Sequence, residues 1–274
     1  MNVLDSKFAR AFIRMADDGW RQNWHERNGG NLSYRLKPAE VSEIRESLDF
    51  SGEWRLIGTA VPELAGEFFL VTGSGKFFRN IILAPEENIC VIELDGAGER
   101  FRVCWGLCNG GRPTMELPTH LMNHEVKARV TGGAHRVIYH AHPVNVIALT
   151  FVLPFEDEAF TRELWEMITE CAIVFPGGVG TVEWMVPGGR EAAVATSEKM
   201  LTCDAAVWAY HGLFVSGEDF DVTFGLAHTI EKAAEVLVKV LSMGGKRQTM
   251  TPEMLRRLEV PFGITLDERF LGEK

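Results

Sequence analysis

The stretch Cys90-Val-Ile-Glu-Leu-Asp-Gly-Ala-Gly-Glu-Arg-Phe-Arg-Val-Cys-Trp105 carries two strand-like runs, residues 90–94 and 100–105, around the turn Asp95-Gly-Ala-Gly98. A glycine-rich turn between runs of β-type residues is a hairpin signal and predicts antiparallel pairing. A purely parallel sheet of the Rossmann kind cannot accommodate it, because parallel neighbours need long crossovers. Outward from this hairpin, apolar strand-like runs alternate with amphipathic stretches, without repeats or low-complexity segments, which predicts an α/β or α+β fold. Helices are expected over residues 5–23, 116–130, 155–169 and 223–243. In the last, Phe224, Ala227, Ala234, Leu237, Val238 and Leu241 keep mostly three- and four-residue spacing, as packing on a sheet requires. Strands are expected over residues 67–72, 136–140, 171–175 and 205–210. Residues 37–66 are the least regular part and read as a possible surface insertion on a single domain spanning 1–274.

The 274 residues, 46% hydrophobic and 24% charged, are enough to bury the core of one large domain. A formal charge of -10 leaves no basic stripe for a phosphate backbone, so nucleic acid is not expected as a partner. No stretch is long and apolar enough to span a bilayer. Residues 1–14 lack the apolar run and cleavage site of a signal peptide. The five cysteines are odd in number and form no Cys-x-x-Cys pair, which reads as reduced, buried thiols in a cytoplasm. The negative charge also repels small anions at long range. A phosphorylated ligand would therefore need local devices such as backbone N–H groups, a helix N-terminus or a metal ion.

Among eight histidines, His140-x-His142 at an expected strand end and His211 just past another strand stand out. Side chains two apart on extended chain point to the same side, so His140 and His142 can converge on one ion, with His211 as a third corner. Three nitrogen ligands with an open position suit a catalytic metal rather than a structural one. Imidazole alone does not choose between zinc, cobalt, nickel and copper, and each ring could equally be satisfied by ordinary hydrogen bonds. His120 and His124 lie four apart on an expected helix but lack the Glu of a zincin motif, and read as helix surface or as supports behind a metal site.

Glu116 opens a helix after the turn at Pro113-Thr114, where the helix dipole favours any carboxylate. It reads either as an ordinary first-turn acid or as a general base beside the metal. The turns Asn28-Gly-Gly-Asn31 and Thr72-Gly-Ser-Gly-Lys76 offer amides and hydroxyls that could hold phosphate, although neither is a Walker loop. Lys76 reads as a solvated loop charge.

In order along nearly the whole chain, Glu26-Arg-Asn-Gly-Gly-Asn31, Val71-Thr-Gly-Ser-Gly-Lys-Phe-Phe-Arg-Asn80, Glu116-Leu-Pro118, His140-Ala-His142, Thr169-Glu-Cys171, Trp184-Met-Val-Pro-Gly188, His211-Gly212 and Lys239-Val-Leu-Ser-Met-Gly-Gly245 resemble the rhamnulose-1-phosphate aldolases. These form a branch of the class II aldolase and adducin superfamily. The resemblance implies a three-layer α/β/α sandwich around a largely antiparallel sheet. It also implies zinc-dependent, reversible cleavage of L-rhamnulose 1-phosphate to dihydroxyacetone phosphate and L-lactaldehyde. By it, His140, His142 and His211 would hold one Zn2+ per subunit and Glu116 would be the acid/base. Asn28, Asn31, Ser74, Gly75 and Thr114 would line the dihydroxyacetone phosphate site. Glu170 would reach the active site of a neighbouring subunit in a cyclic homotetramer.

One position departs from the family pattern. Met115 stands where a second hydroxyl is usual, and a thioether cannot donate to a phosphate oxygen. Fuculose-phosphate aldolases, ribulose-phosphate 4-epimerases and methylthioribulose-phosphate dehydratases share the metal. The adducin-like interaction modules of the superfamily lack its chemistry, and an intact His-x-His with a distant His counts against them.

Overall fold

Ile89–Leu94 and Arg100–Gly106 pair antiparallel, as the glycine turn predicts. The turn is closed by Asp95, whose carboxylate accepts from the N–H groups of Glu99 at 2.9 Å and Arg100 at 3.2 Å. This hairpin belongs to a nine-stranded sheet in a computed structural model that describes residues 1–272. Its strands are β1 Asn31–Arg35, β2 Arg55–Leu56, β3 Phe68–Thr72, β4 Ile89–Leu94, β5 Arg100–Gly106, β6 Val137–Ala141, β7 Gly180–Val182, β8 Ala205–Trp208 and β9 Gly212–Gly217. Their order is β2-β5-β4-β3-β1-β6-β9-β8-β7. All neighbours run antiparallel except β7 and β8.

Strand alternation sorts side chains to two helical layers. On one face Leu32, Tyr34, Val137 and Tyr139 join an apolar cluster with Phe12 of helix Lys7–Arg21 and with Phe220 and Ile230 of helix Phe220–Ser242. On the other face Phe69, Val71 and Ile92 pack against Leu117 and Leu121 of helix Leu117–Val130. Ile138, Ala206 and Phe214 pack there against Val126 of the same helix and Ala192 of helix Arg190–Lys199. Full burial of each such leucine contributes roughly 1.5–3 kcal/mol, which seats helix Leu117–Val130 firmly on the sheet. The result is the expected three-layer α/β/α sandwich around a largely antiparallel sheet.

Some local expectations are corrected. Residues 171–175, expected as a strand, lie in helix Glu170–Val174 up to its C-cap Phe175. A short apolar run has no period that separates strand from buried helix, and the packing of Cys171 and Ala172 in the core decides it. Residues 155–169 form a shorter helix, Asp157–Trp165, because the chain turns before Thr169. Residues 37–66, expected as a possible surface insertion, are mostly exposed and are anchored to the body at a few buried points. Helix Pro38–Ile44 and β2 lie there, with β2 pairing to β5 at the sheet edge, and Ile44, Val61 and Leu64 are fully buried. Of the five cysteines, Cys108 is exposed and the other four are buried and unbridged. No helix among the described residues is long and apolar enough to cross a membrane.

Candidate active site

The site sits where the two central strands β1 and β6 end, with Asn31 directly opposite His140 in their antiparallel register. His140 lies within β6 and His142 just beyond it, so alternation aims both rings to one side. The turn between β8 and β9 delivers His211. There Tyr210 holds a left-handed φ of 60°, and its N–H donates to Thr150 Oγ1 at 3.1 Å. The residue after His211 must be glycine, because a Cβ on Gly212 would come within 2.4 Å of the Ala141 carbonyl oxygen. That close approach lays His211 over His140.

Hydrogen bonds set the tautomers of two of these rings. His140 Nδ1 faces the Leu213 carbonyl at 3.1 Å, and His142 Nδ1 faces the Glu26 carboxylate at 2.8 Å. Both partners only accept, so each Nδ1 carries a hydrogen, and in the neutral ring that leaves Nε2 bare. Yet His140 Nε2 stands 3.2 Å from the Nε2 atoms of both His142 and His211. In the neutral rings the facing lone pairs of His140 and His142 repel one another unless a cation lies between them, so the donor set fits a metal ion. Burial, reinforced by the neighbouring rings, pushes the His140 pKa well below its usual value, and burial followed by His142 lowers that of His211 to about 4. Neutral imidazoles are the ligand form.

Glu116 occupies the N-cap position of helix Leu117–Val130 and is buried. Its Oε2 lies 3.7 Å from His140 Nε2 and accepts from Asn31 Nδ2 at 2.7 Å. Burial raises its pKa, and the Asn31 hydrogen bond opposes that rise. Behind Asn31, its Oδ1 meets His120 Nε2. Ser33 Oγ then bridges His120 Nδ1 at 2.6 Å and His124 Nε2 at 2.8 Å. The surface reading of His120 and His124 is thereby corrected. Their four-residue spacing places both on the inward face of the helix, fully buried against Asn31 and Ser33, which are two apart on β1.

Nine residues singled out in the sequence line one cavity of about 180 Å³: Asn28, Asn31, Ser74, Gly75, Thr114, Glu116, His140, His142 and His211. The loops carrying them are stitched together, Ser74 N–H to Arg112 O at 2.8 Å and Thr114 N–H to Thr72 O at 2.9 Å. Gly30 holds a φ of 75°, and a Cβ there would meet His25 Nδ1 at 2.4 Å. His25 itself braces this loop between the Gly29 carbonyl at 3.0 Å and Tyr139 Oη at 2.7 Å. Glu170 does not line the cavity and is exposed at the start of its short helix.

The sequence reading missed three features. Glu26 orients His142, although nothing local marks it as more than a loop acid. Of the buried Ser33–His120–His124 string, only the four-residue spacing of His120 and His124 was visible. Ser74, Thr114, Met115 and Gly188 also border a wider groove of about 1150 Å³ that carries Arg55, Arg112 and Arg190 beside Glu53, a local excess of positive charge in an acidic chain.

The sequence model of the Class II Aldolase and Adducin N-terminal domain family matches residues 10–238. The chain belongs to this family. It is 47% identical to the rhamnulose-1-phosphate aldolase of Mannheimia succiniciproducens over 264 residues, 96% of this chain and 97% of that protein. It is also 47% identical to the enzyme of the same name from Pectobacterium atrosepticum over 263 residues, 96% of each chain. Among solved structures, a sugar-phosphate aldolase from Thermotoga maritima superposes with a TM-score of 0.74 at 28% identity, covering 88% of this chain and 97% of that one. Class II aldolases are metal-dependent, and His140, His142 and His211 are the cluster of this class II chain, among its described residues, able to hold an ion.

Proposed function

We propose that this class II aldolase is a zinc enzyme that reversibly cleaves L-rhamnulose 1-phosphate to dihydroxyacetone phosphate and L-lactaldehyde. In this reading it serves rhamnose catabolism in the cytoplasm as a homotetramer. The observation that carries the reading is the shared cavity: the three histidines, Glu116 and the five residues expected at dihydroxyacetone phosphate all face one space. The near full-length identity to relatives bearing that name supports the choice of substrate.

A zinc ion on the three Nε2 atoms would supply a Lewis acid that polarises the ketose carbonyl. The chain's own residues do the rest. Asn28, Asn31, Ser74, Gly75 and Thr114 hold the dihydroxyacetone phosphate half. Thr114 Oγ1 accepts from the Glu116 N–H at 3.2 Å, which leaves its hydroxyl hydrogen for a phosphate oxygen. In the cleavage direction the C4 hydroxyl passes its proton to the Glu170 carboxylate of a neighbouring subunit, the C3–C4 bond breaks and its electron pair stays on C3. Glu116, poised beside His140, delivers a proton to C3, and in the synthetic direction it removes the same proton. Glu170 from a neighbouring subunit assists at the aldehyde end.

Incubation with L-rhamnulose 1-phosphate and with L-fuculose 1-phosphate, each coupled to detection of dihydroxyacetone phosphate, tests the substrate. Cleavage of the rhamnulose ester, its loss on chelation and its return with zinc are expected. Cleavage of the fuculose ester alone would overturn the substrate, and full turnover without bound metal would overturn the metal.

A further inference from the structure

We propose that Ser33, His120 and His124 are positioning residues for Glu116, forming a relay of hydrogen bonds that all donate in one direction, towards its carboxylate. The proposal rests on the reading of Glu116 as the acid/base.

The direction follows from the donors and acceptors alone. An ionised Glu116 only accepts, so Asn31 must present its NH2 group to Oε2 and turn its carbonyl oxygen to His120. That oxygen also only accepts, so His120 carries its hydrogen on Nε2. Both imidazoles are fully buried, and burial holds the His120 pKa near 3 and that of His124 well below its usual value, so each ring is neutral with a single hydrogen. His120 Nδ1 is therefore bare and accepts the Ser33 hydroxyl hydrogen at 2.6 Å. Ser33 Oγ, having donated, accepts from His124 Nε2 at 2.8 Å. His124 Nδ1 must then be bare, and it is the atom of this string without a hydrogen-bond partner.

The opposite direction would turn the Asn31 oxygen against the carboxylate and strand a buried N–H at His124 Nδ1. A stranded buried N–H is rarer in folded proteins than an under-satisfied acceptor. The string thus selects one orientation of the Asn31 amide, and that amide holds one oxygen of Glu116 beside His140. Aligned hydrogen bonds also polarise one another, so each link strengthens the donor that reaches Glu116. Its construction joins two periodicities: residues two apart on β1 and four apart on the facing helix interdigitate, and Ser33, His120 and His124 lie behind Asn31, outside the residues that line the cavity.

The test uses the zinc-loaded protein. His120→Leu removes the donor to Asn31 at similar volume, whereas His120→Gln returns an amide N–H close to the Nε2 position. The relay predicts a fall of about 10- to 100-fold in kcat for His120→Leu with KM within about twofold, and recovery of most of that loss in His120→Gln. Equal losses in both variants, or a kcat within twofold of the parent in His120→Leu, would overturn it. Should His120→Leu fail to fold, Ser33→Ala removes a single oxygen and must still lower kcat. Independently of turnover, long-range ¹⁵N–¹H spectra of the unaltered protein read the tautomers. His120 and His124 both protonated on Nε2 are expected, and an Nδ1 hydrogen on His120 overturns the relay. Failure to cleave L-rhamnulose 1-phosphate would instead sink the substrate assignment, while the spectra still decide the relay.

Discussion

Glu26→Ala should weaken metal binding without touching any metal ligand. His140 is oriented by a main-chain carbonyl, Leu213 O, which no substitution removes, whereas His142 depends on a side chain, the Glu26 carboxylate at 2.8 and 3.0 Å. Losing such a partner of a metal-bound histidine typically costs about 10- to 100-fold in affinity, or about 1.4–2.8 kcal/mol. The Glu26 side chain is 69% exposed, so water screens its charge and can replace part of its hydrogen bond. The lower end, about tenfold, is therefore expected for Glu26→Ala. Glu26→Gln keeps an acceptor oxygen but loses the charge that roughly doubles such a bond, and should fall between alanine and the parent. Competition with a chromophoric zinc chelator at fixed pH measures both constants. An affinity within about twofold of the parent in Glu26→Ala, or a glutamine variant weaker than the alanine one, would refute the argument that this carboxylate orients His142.

Glu116→Gln should keep fold and metal while slowing exchange of the dihydroxyacetone phosphate C–H with solvent deuterium by about 10² to 10⁴; near-normal exchange removes its role. Met115→Ser should lower KM for the phosphorylated ketose, since a hydrogen bond to a charged group contributes about 1.5–3 kcal/mol and the Met115 side chain now borders the cavity without one. An unchanged KM would mean that another donor already serves that oxygen. His25 and His120 are held near pKa 3 in the folded chain, against 6.5 for an unperturbed ring. They stay neutral when folded but take up protons on unfolding, so stability is complete above about pH 6.5 and falls as pH drops towards 3, at about 1.4 kcal/mol per pH unit for each ring. Urea titrations across that range should show a slope shallower by about one proton in His25→Gln; an identical slope contradicts the linkage. Finally, Glu170→Ala and His140→Ala chains, each nearly inactive alone, should regain activity when refolded together if Glu170 acts across a subunit interface. Verified hybrid oligomers no more active than their parents would place Glu170 outside the site.

Much of this protein is determined by its sequence alone, because the signals are local. The glycine turn at 95–98 forces an antiparallel hairpin, the spacing of His140 and His142 puts two rings on one side of a strand, and the apolar stripe over 223–243 makes a core-facing helix. Each depends on chain neighbours within a turn or two, where backbone period and turn chemistry decide the outcome. Residues 171–175 mark the limit: five mostly apolar residues satisfy strand and buried helix equally, and only core contacts chose the helix. The tertiary structure alone decided what lies behind the reacting groups. Glu26 and His142 are 116 residues apart, and Asn31 and His120 are 89 apart, so their meeting depends on strand register and helix seating rather than on any motif. Sequence spacing places side chains on a face, but which face meets which is settled by burial of the apolar residues around them, here Leu117 and Leu121 against Phe69 and Val71. That packing turned two histidines that read as supports or as helix surface into the buried end of a hydrogen-bonded string reaching Glu116.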